Sequence, residues 1–516
     1  MSGRFFVTTP IYYVNGEAHM GHTYTTVLAD TLTRFHRMRG DETFLLTGAD
    51  EHGEKILEVA ASEGQPVAEI AAHYSELFQA TWKELGIGVD RFVRTTDPEH
   101  ARVVTSVLER IHEAGDIDFR EYEGLYCVGC ERFMTDRDLE DGLCRDHERP
   151  PEPRTESNYF FKMSEHFEWL REYIHSHPDF IRPERYRNEV LAMLEGEGGL
   201  GDLCISRPKS RLDWGIELPF DNNYVCYVWF DALLSYLSGI GYPGDPDFES
   251  WWSSSTHLIG KDILKPHAIF WPAMLRSMGL EPPRHIDVHG FWNVDSRKVS
   301  KSLGNMVSPK VMKERYGFDT FRYFLMRDMV FGLDSNFSEE GLISRINADL
   351  ANNLGNLVSR TLNMTGRFTD ARVPKPGAPG DAEREVREVT EKALAEVDRQ
   401  METIQTQRAL EAIFGVIDTA NRYLEQKEPW KAAKDPARAE EVRTTLYTCC
   451  EVLRITALLL APFLPEKAAA IFERIGQETG PEQEQLPEAA AWGGIRIGAE
   501  TTKGSALFPR IEVEAE

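Results

Sequence analysis

The sequence predicts an α/β chain in which a parallel sheet is split by an irregular insertion and followed by an all-helical segment. Three observations lead there. Strand, loop and helix patterns alternate from the first residues, at the pace of a parallel α/β unit. Between about 116 and 220 that rhythm gives way to cysteines, prolines and aromatics. From about 341 into the 470s only helical periodicity remains.

Each element has its own signal. Residues 4–9, aromatic and β-branched, read as a buried strand that Pro10 stops. A loop with Asn15-Gly16 follows. Apolar residues then return at helical spacing (Val27, Leu28, Leu32, Phe35) over about His22–Met38. Thr43–Thr47 is a second strand, followed by the polar loop 48–53 and another helix. Ligands bind beyond the carboxyl ends of parallel strands, so loops 10–22 and 48–53 lie at the functional edge. Strand signals resume at Tyr224–Trp229, His257–Ile259 and Ile286–Val288, with a helix near Ala268–Met278. Leu342, Ile346, Leu350, Leu354 and Leu357 form one apolar helix face. Pro374–Gly380 is a loop, amphipathic helix covers roughly 383–427 and 437–460, and the Glu/Gln/Pro-rich stretch 476–490 reads as a surface loop. The expected boundaries are 1–115, 116–223, 224–340 and 341–516.

Composition narrows the function. The 516 residues are 41% hydrophobic and 28% charged, as in an ordinary globular protein. The 58 Lys and Arg face 84 Asp and Glu, a net charge of −26. Such a body repels phosphate and does not coat DNA or RNA indiscriminately. Residues 201–330 carry 15 charges of each sign, which makes Arg207, Lys209 and Arg211 candidates for a local phosphate-binding face. Seven cysteines in a chain of this length are no disulfide framework. No basic region with a long apolar run opens the chain, and the longest apolar stretch, Ala457–Leu464, contains Pro462. A cytoplasmic protein without a membrane partner is expected.

Two motifs carry phosphate chemistry. His19-Met20-Gly21-His22 stands where a strand hands over to a helix. Gly21 allows close approach of a nucleotide, the helix N-terminus offers N–H groups, and two imidazoles donate toward phosphoryl oxygens. About 280 residues on, Lys298-Val299-Ser300-Lys301-Ser302 forms a polar loop with two cations three apart, suited to a leaving pyrophosphate. Taken singly, each also fits an ordinary turn or a solvated surface loop. A third motif, Cys127-x2-Cys130-x13-Cys144-x2-His147, has the spacing of a closed tetrahedral zinc site, structural because no position is left for water. Cys204, Cys226, Cys449 and Cys450 read as small buried hydrophobes.

The paired signatures define class I aminoacyl-tRNA synthetases, and the chain resembles the methionyl-tRNA synthetases nearly end to end. Four stretches carry the resemblance: Thr9–Gly16, Gly48–Gly53, Tyr227–Ala232 and Gly260–His267. It is most similar to the compact bacterial form with one zinc knuckle. Val299 stands where the family usually has Met, Met20 where it has Ile or Leu, and Leu233 where it commonly has Pro.

The resemblance implies a Rossmann-type catalytic domain split by a zinc-binding connective insertion, then an all-α helical-bundle domain that binds the anticodon. It implies a ligase that activates methionine with ATP and Mg²⁺ to methionyl-adenylate and pyrophosphate. Methionine is then transferred to the 3′-terminal adenosine of initiator and elongator methionine tRNA. His19, His22, Lys298 and Lys301 are implied as catalytic, and Gly21, Gly260, Asp262 and Ser302 join them in holding ATP. The implied methionine slot comprises Ile11, Tyr13, Asp50, Trp229, Ala232, Leu233, Tyr236, Ile263, His267 and Trp271. Tyr236 and His267 face the sulfur, and Asp50 pairs with the ammonium. Asn356, Arg360, Pro429 and Trp430 are implied to read the CAU anticodon, although on spacing alone they fit a helix-surface pair and a capping Pro-Trp equally well. The insertion is too short for the editing domain of synthetases for branched aliphatic residues, leaving homocysteine as a competitor. The chain lacks the appended tRNA-binding domain of longer relatives, so a monomer is expected.

Overall fold

The computed structural model describes residues 3–128, 132–134, 138–145, 149–196, 200–294, 297–298 and 307–512. It divides into two compact units. One, the sheet unit, comprises Arg4–Ala18 and Phe44–His289; the other, the helical unit, comprises Met1–Gly3, His19–Thr43 and Gly290–Glu516.

The sheet unit is organised on strands β1 (Arg4–Tyr13), β2 (Glu42–Asp50) and β3 (Arg91–Arg94). They belong to a six-stranded sheet in the order β3, β2, β1, Ser255–Gly260, His285–His289, Ile181–Arg182. The registered pairs are parallel, among them Phe6–Thr8 with Ser255–His257 and Leu46–Ala49 with Arg91–Arg94. Ser255–Gly260 is buried at every residue, as befits a strand covered on both faces. β1 runs through Pro10, where the sequence suggests a stop. Its register with Ser255–His257 closes at Thr8, so the missing proline N–H removes no bond from that ladder. A Cβ at Gly48 would lie 2.2 Å from the Val93 carbonyl oxygen and 2.7 Å from Ile11 Cγ2, so only glycine lets β2 pass there.

The insertion is antiparallel. Ile117–Tyr126 pairs with Glu152–Phe161, and the pair is flanked by Arg132–Met134 and Leu203–Cys204. The short edge strand Ile181–Arg182 comes from within this segment and returns to the parallel sheet. The signal at Tyr224–Trp229 resolves differently from its sequence reading. The strand is Asp221–Cys226, in a three-stranded antiparallel sheet, and the chain turns helical at Val228–Leu233. Residues 228 and 230–240 are buried on every side, and an apolar run without periodicity does not distinguish strand from helix. The helix anticipated near Ala268–Met278 is a π turn, Pro266–Phe270, leading into α-helix Trp271–Ser277.

The helical unit begins with α1 (Met20–Met38), which carries a buried face including Val27, Leu28, Leu32 and Phe35. Inside its unit, Tyr24 meets Trp292 edge-on at 6.2 Å, and Asp30 accepts from Arg322 at 2.7 Å. Leu342, Ile346, Leu350, Leu354 and Leu357 are all buried, on a helix that widens to a π stretch over Ile346–Leu354. The amphipathic run at 383–427 is two helices, Asp381–Glu402 and Thr406–Lys427, broken where Ile404 takes φ +58°. The run at 437–460 is Ala439–Leu460. The stretch 476–490 is more than surface: Leu486 is buried and donates its N–H to the Met38 carbonyl at 2.7 Å. No described helix is long and apolar enough to cross a membrane.

Candidate active site

The His19–His22 turn is built by the N-terminus of α1. His19 is the N-cap: its Nδ1 accepts from the Gly21 N–H at 3.0 Å, while the His22 Nδ1 accepts from the His19 N–H at 3.3 Å. The rings stack with centroids 3.8 Å apart. Because each Nδ1 is an acceptor, each neutral ring carries its proton on Nε2, and the turn holds two N–H donors in fixed directions. Burial, then the neighbouring His19, pushes the His22 pKa well below the usual imidazole range, which favours this neutral form. Gly21 has a steric role besides the expected one: a Cβ there would lie 3.0 Å from His19 Cε1. The Met20 N–H donates to the Val307 carbonyl at 3.0 Å, tying this turn to the far end of the lysine loop. Lys298 lies on the short strand Arg297–Lys298; Lys301 and Ser302 fall outside the described residues.

In the sheet unit, the expected slot gathers on Val228–Leu233 and its continuation Ser235–Ser238, together with the π turn after Ser255–Gly260. The Tyr236 hydroxyl lies 2.8 Å from His267 Nε2, and His267 Nδ1 lies 2.9 Å from the Ile263 carbonyl. Trp229 meets His267 edge-on at 6.2 Å, and Trp271 meets Tyr236 at the same distance. Leu233 is buried in the same core, with Tyr13, Trp229 and Ile263 packed against it. Ala232 is buried beside Leu233, Ile11 lies on β1, and Asp50 is buried at the end of β2. Gly260 closes its strand; a Cβ there would stand 2.7 Å from Asp262 Oδ1, so the two positions constrain each other.

Burial pulls the His267 pKa down to about 4, and burial, then the neighbouring His267, holds that of His257 well below the usual imidazole range. Histidine in an unfolded chain titrates near 6.5. As the pH falls below that value the unfolded state takes up protons first, so stability falls between about 6.5 and about 4. A thermal midpoint that drops steadily across this window is the expected result of a calorimetric pH series. A flat profile would count against neutral buried imidazoles.

In the helical unit the anticodon candidates meet. Arg360, on Gly355–Phe368, sets its guanidinium 5.3 Å from the Trp430 ring centroid and bonds Glu425 at 3.4 Å. Asn356 is half-buried one turn earlier, and buried Pro429 starts the short helix that presents Trp430.

The profile of the family described as tRNA synthetases class I (M) matches residues 5–146 and 137–362. That of the anticodon binding domain of methionyl tRNA ligase matches residues 373–516. The chain is 42% identical to a methionine–tRNA ligase of Caldanaerobacter subterraneus subsp. tengcongensis, covering all of this chain and 80% of the relative. It is 41% identical to that of Streptomyces coelicolor, over 98% of this chain and 97% of the relative. A Mycobacterium tuberculosis methionyl-tRNA synthetase in complex with methionyl-adenylate superposes with a TM-score of 0.94 at 40% identity, covering 98% of this chain and 100% of that one. The chain belongs to the methionyl-tRNA synthetase family.

Two stretches that carry the likeness to methionyl-tRNA synthetases meet in a cluster that sequence reasoning missed. His52 Nδ1 lies 2.6 Å from Asp231, His100 Nε2 lies 2.7 Å from the other oxygen, and His100 Nδ1 reaches Ser238 at 2.8 Å. Burial pushes the Asp231 pKa up, but His52 and His100 bring it down overall to about 2. This carboxylate fastens the loop following Asp50 to the helix carrying Trp229. Glu51 is held as firmly, by Arg94 at 2.6 Å and by Ser75 and Thr96, while its carbonyl accepts from Trp214. Asp231, a carboxylate inside the otherwise apolar run Tyr227–Ala232, was the available signal.

Arg207 is withdrawn from the expected phosphate face, because it is buried. Its guanidinium lies 4.5 Å from the Tyr227 ring centroid; Arg211 bonds Glu54 and Glu156, and Lys209 bonds Glu217. A charge count along the chain does not see such internal partners. Of the zinc ligands expected in this methionyl-tRNA synthetase relative, Cys127 and Cys144 are buried in one small cluster with Met134. They stand on two hairpins, Ile117–Cys127 with Arg132–Met134 and Leu139–Glu140 with Leu143–Cys144. Cys130 and His147 fall outside the described residues. Cys226, Cys449 and Cys450 are buried, and Cys204 is half-buried.

Proposed function

We propose a division of labour among these residues for the reaction of the family, the ATP-dependent ligation of methionine to its tRNA. Asp50 takes the ammonium of methionine; Tyr236 and His267 face its sulfur, in a slot walled by Ile11, Tyr13, Trp229, Ala232, Leu233, Ile263 and Trp271. Gly260 and Asp262 hold the ribose of ATP, and Gly21 admits its phosphates. His19 and His22 donate from Nε2 to phosphoryl oxygens, while Lys298, Lys301 and Ser302 meet the β- and γ-phosphates. Mg²⁺ accompanying ATP would share in neutralising the same charge.

The methionine carboxylate is already a nucleophile, so no general base is required. Its oxygen bonds the α-phosphorus in line as the bond to the bridging oxygen breaks, and pyrophosphate leaves with that electron pair. Positioning and donors fixed before reaction lower the barrier. The 2′-hydroxyl of the terminal ribose of tRNA then attacks the adenylate carbonyl, and AMP departs. Trp430 stacks an anticodon base while Asn356 and Arg360 bond base edges.

The observation that carries this reading is the bond from Met20 to Val307, which joins the histidine turn to the lysine loop within one unit. The test is methionine-dependent ATP–pyrophosphate exchange, compared with cysteine, leucine and homocysteine. Exchange with methionine and little with cysteine and leucine is expected. No exchange by folded protein would overturn the assignment.

The donor set Cys127, Cys130, Cys144 and His147 suits a structural Zn²⁺, and the shared burial of Cys127 and Cys144 supports it. About one zinc per chain is expected by elemental analysis. Chelation is expected to lower the thermal midpoint, because binding energy in such sites is folding energy. Metal-free protein with an unchanged midpoint would remove the zinc from this account.

A further inference from the structure

Behind the slot lie two buried polar groups, Thr8 and His257, to which the reaction gives no role. Thr8 on β1 stands in register with His257 on Ser255–Gly260, and Thr8 Oγ1 lies 2.8 Å from His257 Nδ1. The Trp271 indole N–H donates to His257 Nε2 at 3.1 Å. The Tyr236 hydroxyl lies 2.8 Å from His267 Nε2. His267 Nδ1 lies 2.9 Å from the Ile263 carbonyl. Thr8 and His257 are both fully buried, and the Tyr236 ring stacks on His257 with centroids 4.2 Å apart.

Trp271 and the Ile263 carbonyl fix the direction of every bond. An indole N–H can only donate, so His257 accepts at Nε2 and carries its proton on Nδ1. That proton goes to Thr8. A carbonyl can only accept, so His267 carries its proton on Nδ1 and must accept from Tyr236 at Nε2. The four bonds commit the N–H protons of Trp271, His257 and His267 and the Tyr236 hydroxyl proton. Neutral imidazoles are required at both histidines, in keeping with their lowered pKa values.

We propose that Thr8 and His257 are positioning residues for methionine recognition: the His257 ring, held by Thr8 and Trp271, supports the stacked Tyr236 phenol against the substrate side chain. This rests on the reading of Tyr236 and His267 as the groups facing the sulfur. Sulfur–aromatic contacts depend on geometry, whereas a methylene in the same place needs only volume. Thr8 and His257 therefore contribute to the preference for methionine over norleucine, its sulfur-free isostere.

The experiment is ATP–pyrophosphate exchange with methionine and with norleucine, comparing the ratio of their kcat/KM values. Thr8→Val keeps the volume and removes the hydroxyl. It is expected to lower the ratio by about three- to ten-fold through KM for methionine, with kcat little changed. Thr8→Ser restores the hydroxyl and is expected to restore the ratio. Should Thr8→Val not fold, His257→Phe keeps the stacked ring, removes both nitrogens and is expected to give the same drop. Equal losses on both substrates, or a Thr8→Ser variant no better than Thr8→Val, would overturn the proposal. Tyr236→Phe separates the two levels. If it leaves the ratio unchanged, the slot reading fails and the proposal falls with it; if it lowers the ratio while Thr8→Val does not, only the role of Thr8 and His257 fails.

Discussion

Replacing His19 or His22 by Asn is expected to slow methionine-dependent ATP–pyrophosphate exchange by about 10²–10³-fold, the cost of one fixed donor to developing charge. Asn is the informative choice. Each ring uses Nδ1 as an acceptor for a backbone N–H at the start of α1, and the Asn side-chain oxygen occupies nearly that place. What Asn cannot supply is the donor at Nε2. The local fold is thus retained while the proposed chemistry is removed, and the thermal midpoint is expected to stay within a few degrees. Ala at position 19 removes the cap as well and is expected to cost about 1 kcal/mol of stability. Full exchange activity in both Asn variants would exclude the role given to the Nε2 donors.

The second large effect concerns stability. Glu451, buried on Ala439–Leu460, receives Arg454 on both oxygens, at 2.6 and 3.0 Å. It also receives the backbone N–H groups of Gly493, Gly494 and Ile495 at 2.7, 3.1 and 2.9 Å. Arg454 in turn donates to the carbonyls of Ala489 and Ala491. Glu451→Ala leaves a buried guanidinium without its counter-charge and three N–H groups without an acceptor. A loss of about 3–5 kcal/mol is expected in chemical denaturation, with Glu451→Gln intermediate because it keeps one acceptor oxygen. A loss below about 1 kcal/mol would mean that water replaces the carboxylate.

What could be read from the sequence follows the range of the interactions involved. The capping turn at His19–His22 is local, and its four residues announce both the helix start and the donors. The apolar stripe from Leu342 to Leu357 is equally local, since helix periodicity lays it out directly. The likeness to a known family supplied Tyr236 and His267, which spacing alone would have left as core. The bond behind them was out of reach: Thr8 and His257 are separated by 249 residues, and only the sheet register brings them level. The Asp231 cluster was hidden for the same reason, with His52 and His100 179 and 131 residues away. Ile181–Arg182 was missed because two residues are too few to show a strand period. Arg207 misled because net charge does not record what a cation packs against.

The discontinuity of the helical unit sets a timetable for biosynthesis. Its first helix leaves the ribosome early, yet Arg322, the buried partner of Asp30 in that unit, follows 292 residues later. At roughly 5–20 residues per second, α1 waits on the order of 15–60 s for that partner. Through that delay Met20, Tyr24, Val27, Leu28, Leu32 and Phe35, buried in the folded protein, are without the part of the unit that follows.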